Sequence, residues 1–184
     1  MTPPVFEPLG AHHDRQAFDC RKAMHNLFLQ RQARQNADRN AGVTHVAVAA
    51  AGDSRILAYY TLLTRVVNAE IVPNKKLPRG EIGVALLGRL AVDQSAQGQG
   101  LGRLCLLRAM TQVERATREI GLYALVLDVL DEEARAWYLR LPFGFQPLLD
   151  DPNHLSLPVE TIRRSINLQR VLGMQIPAVN APAS

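Results

Sequence analysis

The stretch from Leu86 to Arg103 constrains this chain more than any other. Val84 to Val92 is apolar enough to be a buried strand, and a glycine-rich turn, Gln97-Gly98-Gln99-Gly100-Leu101-Gly102-Arg103, follows it. From Gly100 to about Glu119, Leu101, Leu104, Cys105, Ala109, Met110, Val113, Ala116 and Ile120 recur at i, i+3/i+4. That rhythm predicts a long amphipathic helix, stopped by Gly121. Strand, glycine turn and helix in that order gather unpaired backbone N–H groups and the positive end of a helix dipole at one place. Gly98, Gly100 and Gly102 carry no side chains, so a pyrophosphate can approach the main chain there. Arg103 can add a charge-assisted contact.

The flanking sequence embeds this unit in an α/β domain. No Pro or Gly interrupts Asp19 to Arg39, where Met24, Leu27 and Phe28 predict a helix that Gly42 ends. Val43 to Ala50 and Ile56 to Val67 read as strands around a Gly52-Asp53 turn. Residues 68–80, with Pro73, Lys75, Lys76, Pro78 and Arg79, form a basic loop. Tyr123 to Leu130 is a nearly continuous apolar strand, as in a sheet covered on both faces. Asp131 to Leu141 returns to helix with Asp131 as N-cap, and Pro142 breaks it. Phe143 to Leu148 and His154 to Val159 read as closing strands, and 160–172 as a short helix. The expectation is a mixed α/β fold: a central twisted sheet with some parallel pairing, flanked by helices. Residues 1–13, with three prolines, form an extended segment, 14–172 a single domain, and 173–184 a loose tail.

Composition narrows the function classes. Hydrophobic residues make up 47% and charged residues 21% of 184, which excludes a disordered, collagen-like or coiled-coil chain. The formal charge of +4 permits an anionic partner without demanding one. Two cysteines, Cys20 and Cys105, exclude a disulfide scaffold and fit a reducing cytoplasm. No uncharged apolar run approaches the ~18 residues of a membrane span, and the first residues lack the pattern of a signal peptide.

Three phosphate-binding loops can be told apart. A P-loop needs Gly-Lys-Ser/Thr, and Gly102 is followed by Arg103-Leu104. The dinucleotide fingerprint needs a third glycine at position 103, which is Arg. Gln/Arg-x-x-Gly-x-Gly/Ala after a strand is met at every fixed position by Gln97 to Gly102. In this the sequence resembles the GNAT family of N-acetyltransferases. The resemblance implies that acetyl-CoA is the donor, held by Leu90, Ala91, Val92, Gln97, Gly98, Gln99, Gly100, Leu101, Gly102 and Arg103, with Asp131 and Ala134 at the start of the later helix. It implies that the Val92 N–H is the oxyanion donor. It also implies that Tyr138, in the Trp137-Tyr138 pair before Gly144-Phe145, is the general acid. The chemistry suits a phenol: a neutral group of pKa ~10 can protonate the departing thiolate at neutral pH. Gly144 stands six residues after Tyr138, where four usually separate them; the extra Leu-Pro falls after the helix.

The N-terminal third is similar to one subgroup. Phe18-Asp19-Cys20, then Leu27, Phe28, Ala33, Arg34, Gln35, Asn36 and Gly42-Val43, resemble the start of the acetyltransferase toxins of toxin–antitoxin modules. Leu86 to Asp93, Ser95 to Gly102 and Ala134 to Tyr138 fit that subgroup too. The resemblance implies acetylation of the α-amine of an aminoacyl-tRNA, a ribbon-helix-helix antitoxin partner and a homodimer. Arg21 departs from the Gly that often follows Phe-Asp-Cys. A tRNA substrate needs a basic surface. Arg31 and Arg34 on the first helix, Lys75, Lys76 and Arg79 in the basic loop, and Arg89 in the buried strand are the candidate substrate contacts. Aromatics are 5%, so RNA contact is expected through phosphate and shape.

No general base stands out; Glu70, Glu81, Asp93 and His45 read as solvated surface groups. An α-amine of pKa ~7.7–8.0 is partly neutral already and needs no base, whereas a lysine at ~10.4 does. The cysteines read as structural. His12 and His13 fall in a segment expected to be mobile, and no spacing argues for a metal. Two other functions fit the residues: N-acetylation of a small-molecule amine or a protein N-terminus, and non-catalytic acetyl-CoA binding.

Overall fold

The computed structural model describes residues 3–77 and 79–171. The expected tail at 173–184 lies outside the described residues. Among the described residues seven strands hydrogen-bond in the order β1-β2-β3-β4-β5-β7-β6. They are β1 (Val5–Pro8), β2 (Val43–Val48), β3 (Ala58–Asn68), β4 (Glu81–Val92), β5 (Ala124–Asp128), β6 (Gln146–Pro147) and β7 (His154–Pro158). Among the described residues five α-helices accompany them: α1 (Ala23–Leu27), α2 (Ala33–Asp38), α3 (Leu101–Ala116), α4 (Glu132–Arg140) and α5 (Val159–Val171). β4 and β5 run parallel; β1/β2, β2/β3, β5/β7 and β6/β7 are antiparallel. The mixed sheet expected from the sequence is present.

Residues group into two compact units, with β3, β4 and α3 each contributing to both. The first holds the described residues up to Leu63 and Gly88–Ala109. Its core packs Phe18, Phe28, Leu29, Ala33, Val46, Val48, Ile56, Tyr59 and Ala91 together. The prolines of the first segment do not prevent a strand there: Val5↔Val48 through Pro8↔His45 pair across β1 and β2. Pro8 sits at the strand's last position, on the sheet's edge strand, where the missing N–H is tolerated. His13 is buried, not mobile: Nδ1 accepts from the Gly10 N–H at 2.8 Å, and Nε2 bonds Glu7 Oε1 at 2.8 Å. Glu7, His12 and His13 bring their ligating atoms within 4.8 Å of one another, a grouping sequence spacing did not suggest. Because His13 Nδ1 is an acceptor here, the proton resides on Nε2, which donates to Glu7. The arrangement clasps the segment after β1 through hydrogen bonds.

The first helix starts later than its apolar pattern suggests. Asp19–Lys22 is an irregular turn, and Arg21 takes φ +65°. α1 then passes into a π-helical segment over Phe28–Gln32 before α2 begins. The second unit comprises the described residues of Thr64–Leu87 and Met110–Val171. β5 is buried from Ala124 to Leu127, as its continuous apolar run requires. Phe143–Leu148 forms only the two-residue β6, because Pro142 and Gly144 (φ +82°) turn the chain too tightly for a longer strand. Ile120, expected on the buried stripe of the long helix, is exposed, because α3 ends at Ala116. Among the described residues no helix is long and apolar enough to cross a membrane.

Candidate active site

β4 ends in the feature on which the sequence argument turned. Its ladder with β5 spans Ala85–Leu87, and the strand runs on to Val92. Ala91 is buried in the first unit's core, while Leu90 and Val92 are half-buried. Asp93 then caps a 3₁₀ turn, Gln94–Ala96, and the glycine loop opens α3 at Leu101. Gly98 and Gly100 have φ +75° and +78°, the left-handed region that glycine enters without steric cost. A Cβ built on either would meet nothing within 4 Å, so the space beside the loop is open. Gln97–Gly100 is exposed, Leu101 is buried, and Gly102 and Arg103 are half-buried in the first turn of α3. The Gln97 side chain is turned onto the protein: its Nε2 donates to the Val92 carbonyl at 3.0 Å and the Cys20 carbonyl at 3.5 Å. Gln99 Nε2 likewise donates to the Ser95 carbonyl.

The loop is braced by Phe18-Asp19-Cys20. Asp93 Oδ2 accepts from the Asp19 N–H at 3.0 Å, and its Oδ1 from the Ser95 N–H at 3.0 Å and hydroxyl at 2.6 Å. The Gln94 N–H returns a bond to the Asp19 carbonyl at 2.8 Å. Asp19 Oδ1 accepts from the Arg21 N–H and from Asn26 Nδ2, both at 2.8 Å. Burial opposes the charge on Asp93, but its three donors outweigh that and hold the carboxyl below its ordinary value. The Arg21 N–H and Asn26 amide hold Asp19 low as well. Asp93 is therefore a buried structural anion, not the solvated surface group expected. The positive φ at Arg21 explains why glycine suits that position in the subgroup that the sequence resembles.

The second unit carries the other candidate. Asp131 caps α4 as expected, its Oδ1 accepting from the Ala134 N–H at 2.8 Å. Asp131 itself is exposed and Ala134 half-buried. Tyr138 lies in the last turn of α4 and is 9% exposed. Its ring meets Trp137 and Phe145 edge-on, at 4.8 and 5.6 Å between centroids. The extra Leu-Pro is absorbed after the helix: Phe143 and Phe145 both turn inward around exposed Gly144.

His45 is also no surface group. It stacks on Tyr60 at 5.3 Å and 9°, and burial, aided by the Arg108 cation, lowers its pKa to about 4. Glu70 and Glu81 are exposed as expected. Burial raises the pKa of both cysteine thiols, which disfavours the nucleophilic thiolate. Arg31, Lys75, Lys76 and Arg79 are exposed, Arg34 and Arg89 half-buried. Sequence reasoning missed an ion-paired group in the second unit. Arg65 on β3 grips Asp128 at the end of β5 with two bonds of 2.8 and 2.6 Å, and His154 bonds Asp150 at 3.2 Å. No local motif signals it, since the partners are 63 residues apart. A cavity of about 420 Å³ in the same unit, near Asn74, Tyr123 and the start of α5, is lined by none of the expected site residues.

Residues 13–145 match the acetyltransferase (GNAT) family. The chain belongs to that family. A tRNA-acetylating toxin of Mycobacterium tuberculosis is 36% identical over 117 residues, 62% of this chain and 69% of the relative. A structure of AtaT complexed with acetyl-methionyl-tRNAfMet aligns with TM-score 0.81 at 31% identity, over 88% of this chain and 98% of that one. A crystal structure of AtaTR bound with AcCoA aligns with TM-score 0.79 at 31% identity, over 90% and 99%. The family match spans the loop that opens α3 and the helix α4.

Proposed function

We propose that this GNAT chain uses acetyl-CoA to acetylate the α-amine of an aminoacyl-tRNA and so acts as a translation-blocking toxin. The open glycine loop at the head of α3 carries the reading: its left-handed glycines leave main-chain amides clear for a pyrophosphate. The AcCoA-bound and tRNA-bound relatives support the donor and the acceptor.

In the proposed reaction the neutral amine attacks the thioester carbon, a C–N bond forms, and the Val92 N–H stabilises the oxyanion. The tetrahedral intermediate collapses, the C–S bond breaks, and Tyr138 gives its proton to the departing sulfur. The nitrogen's excess proton passes to solvent, from which Tyr138 is reprotonated. No base is required, because an α-amine of pKa ~7.7–8.0 is substantially neutral at physiological pH. Leu90, Ala91 and the loop Gln97–Arg103 hold the coenzyme, with Asp131 and Ala134 at the head of α4. Arg31, Arg34, Lys75, Lys76 and Arg79 supply positive charge for the RNA. A ribbon-helix-helix antitoxin, a homodimer and a cytoplasmic location accompany this reading.

The test is transfer of labelled acetyl groups to charged tRNA, beside deacylated tRNA, free amino acids, polyamines and short peptides. Label entering charged tRNA alone, and falling at least ~100-fold with Tyr138→Phe, supports the reading. Label entering only amines or peptides overturns the tRNA assignment in favour of a small-molecule or protein acceptor. Acetyl-CoA binding without transfer to any acceptor overturns the catalytic reading.

A further inference from the structure

Arg89 sits three residues before Val92 on β4, about 10 Å along the strand at ~3.3 Å per residue. Strand alternation puts it on the face of Ala91, which packs with Phe28, Leu29 and Ala33. The guanidinium carbon lies 5.2 Å from the Phe28 ring centroid. Nη1 donates to the Gly88 carbonyl at 2.6 Å, and Nε is buried with no hydrogen-bond partner. Among the described residues no carboxylate pairs with it; its neighbours are a carbonyl and a ring. Phe28 is itself held in place, stacked on Tyr59 at 6.2 Å and 18°, while Tyr59 Oη donates to the His25 carbonyl. Phe28 also opens the π-helical segment, a distortion that recurs at functional sites.

A guanidinium cannot shed its charge, so a half-buried one with an orphan donor is costly unless an anion completes it. A backbone carbonyl cannot neutralise that charge; a phosphate meeting the exposed part of the planar guanidinium can. We propose that Arg89 is a specificity-determining residue that binds a phosphate oxygen near the 3′ end of the acceptor RNA. The proposal rests on the aminoacyl-tRNA reading above. An amine poised beside the Val92 N–H is separated from the first phosphate of its own nucleotide by an ester and a ribose, a span of the same order as the Arg89–Val92 spacing. The coenzyme also carries phosphates, and the experiment separates the two sources.

Arg89→Gln and Arg89→Lys are compared with the parent chain in steady-state acetyl transfer to charged tRNA and to an aminoacyl nucleoside lacking phosphate. Acetyl-CoA affinity is measured by calorimetry. The expected result for Arg89→Gln is an at least tenfold rise in KM for charged tRNA. The ratio of kcat/KM for charged tRNA over the nucleoside falls by at least the same factor. Loss of one phosphate contact also lowers the slope of log KM against log salt by roughly 0.7–0.9. Arg89→Lys, which keeps the charge and loses the fork, falls between the two; should the Gln variant not fold, it carries the test through the same ratio and KM. An unchanged ratio overturns the inference while leaving the aminoacyl-tRNA reading intact. Weakened acetyl-CoA binding with unchanged KM for tRNA assigns the phosphate to the coenzyme and overturns it too. A parent chain inert toward charged tRNA overturns that reading and the inference together.

Discussion

Removing the Asp93 carboxylate should undo the brace between Phe18-Asp19-Cys20 and the glycine loop. Asp93 is 5% exposed and accepts three hydrogen bonds, from the Asp19 and Ser95 N–H groups and the Ser95 hydroxyl. Asp93→Ala takes away the cap of the 3₁₀ turn, worth ~1 kcal/mol, and strands the Asp19 N–H, worth ~1–3 kcal/mol more. The expected loss is about 3 kcal/mol. At a urea m-value of ~2 kcal/mol/M the unfolding midpoint then falls by about 1.5 M. Asp93→Asn should lose roughly half as much: its amide oxygen still accepts from Ser95, but its NH₂ faces the Asp19 donor. Acid supplies a second check. The Asp93 pKa is held below its ordinary 3.8 in the fold, so its stabilisation is complete above that value and is lost as pH falls through the depressed one. The gap between the parent and Asp93→Asn should be constant from pH 5 to 7 and close below pH 3.8. Urea unfolding followed by circular dichroism reads both. A midpoint shift under about 0.3 M for Asp93→Ala, or a gap that persists in strong acid, would refute the brace.

Other outcomes follow from single features. Tyr138→Phe should lower kcat by ~10²–10⁴ and leave acetyl-CoA affinity within twofold, as calorimetry and initial rates can check. Arg21→Gly should raise stability by about 0.5–1 kcal/mol, because φ +65° suits glycine and the lost Arg21–Gln94 bond is exposed; urea unfolding decides. Gly100→Ala, at φ +78° with open space around its Cβ, should cost ~1–2 kcal/mol through backbone strain alone, and weaken acetyl-CoA binding as the loop shifts. His45, with its pKa lowered to about 4, binds its proton less readily folded than unfolded, so stability should decline as pH falls from 6.5 to 4. Its ring should keep neutral NMR shifts over most of that window and begin to protonate only as pH approaches 4, and His45→Gln should flatten the decline.

The backbone elements that carry the candidate site were legible because their signals are local. The loop Gln97–Gly102 needs only a strand before it and a helix after it, and every one of those signals is contiguous. The Asp131 cap three residues before Ala134, the helix carrying Tyr138 and the buried run of β5 were readable for the same reason: their partners lie within a turn of the chain. The resemblance to acetyltransferases rested on these strings, and the family match spans them.

Tertiary contacts decided the rest. Asp19 and Asp93 meet across 74 residues, and that meeting, with Asn26, delays the first helix and puts Arg21 at positive φ. His45 alternates with apolar residues on a strand that any pattern would leave half-exposed, yet the face of Tyr60 covers it. His13 is held by Glu7 and the Gly10 amide, so a segment that composition marks as mobile is clasped to β1. Arg89 carries the same charge whether it is solvated or set over Phe28 with an orphan Nε; only the packing of α1 and its π-helical turn on β4 distinguishes the two. Periodicity and glycine placement report backbone preferences, which act over a few residues. Burial, pairing and proton affinity depend on which distant groups share a low-dielectric space, and in this protein that was determined by the folded chain alone.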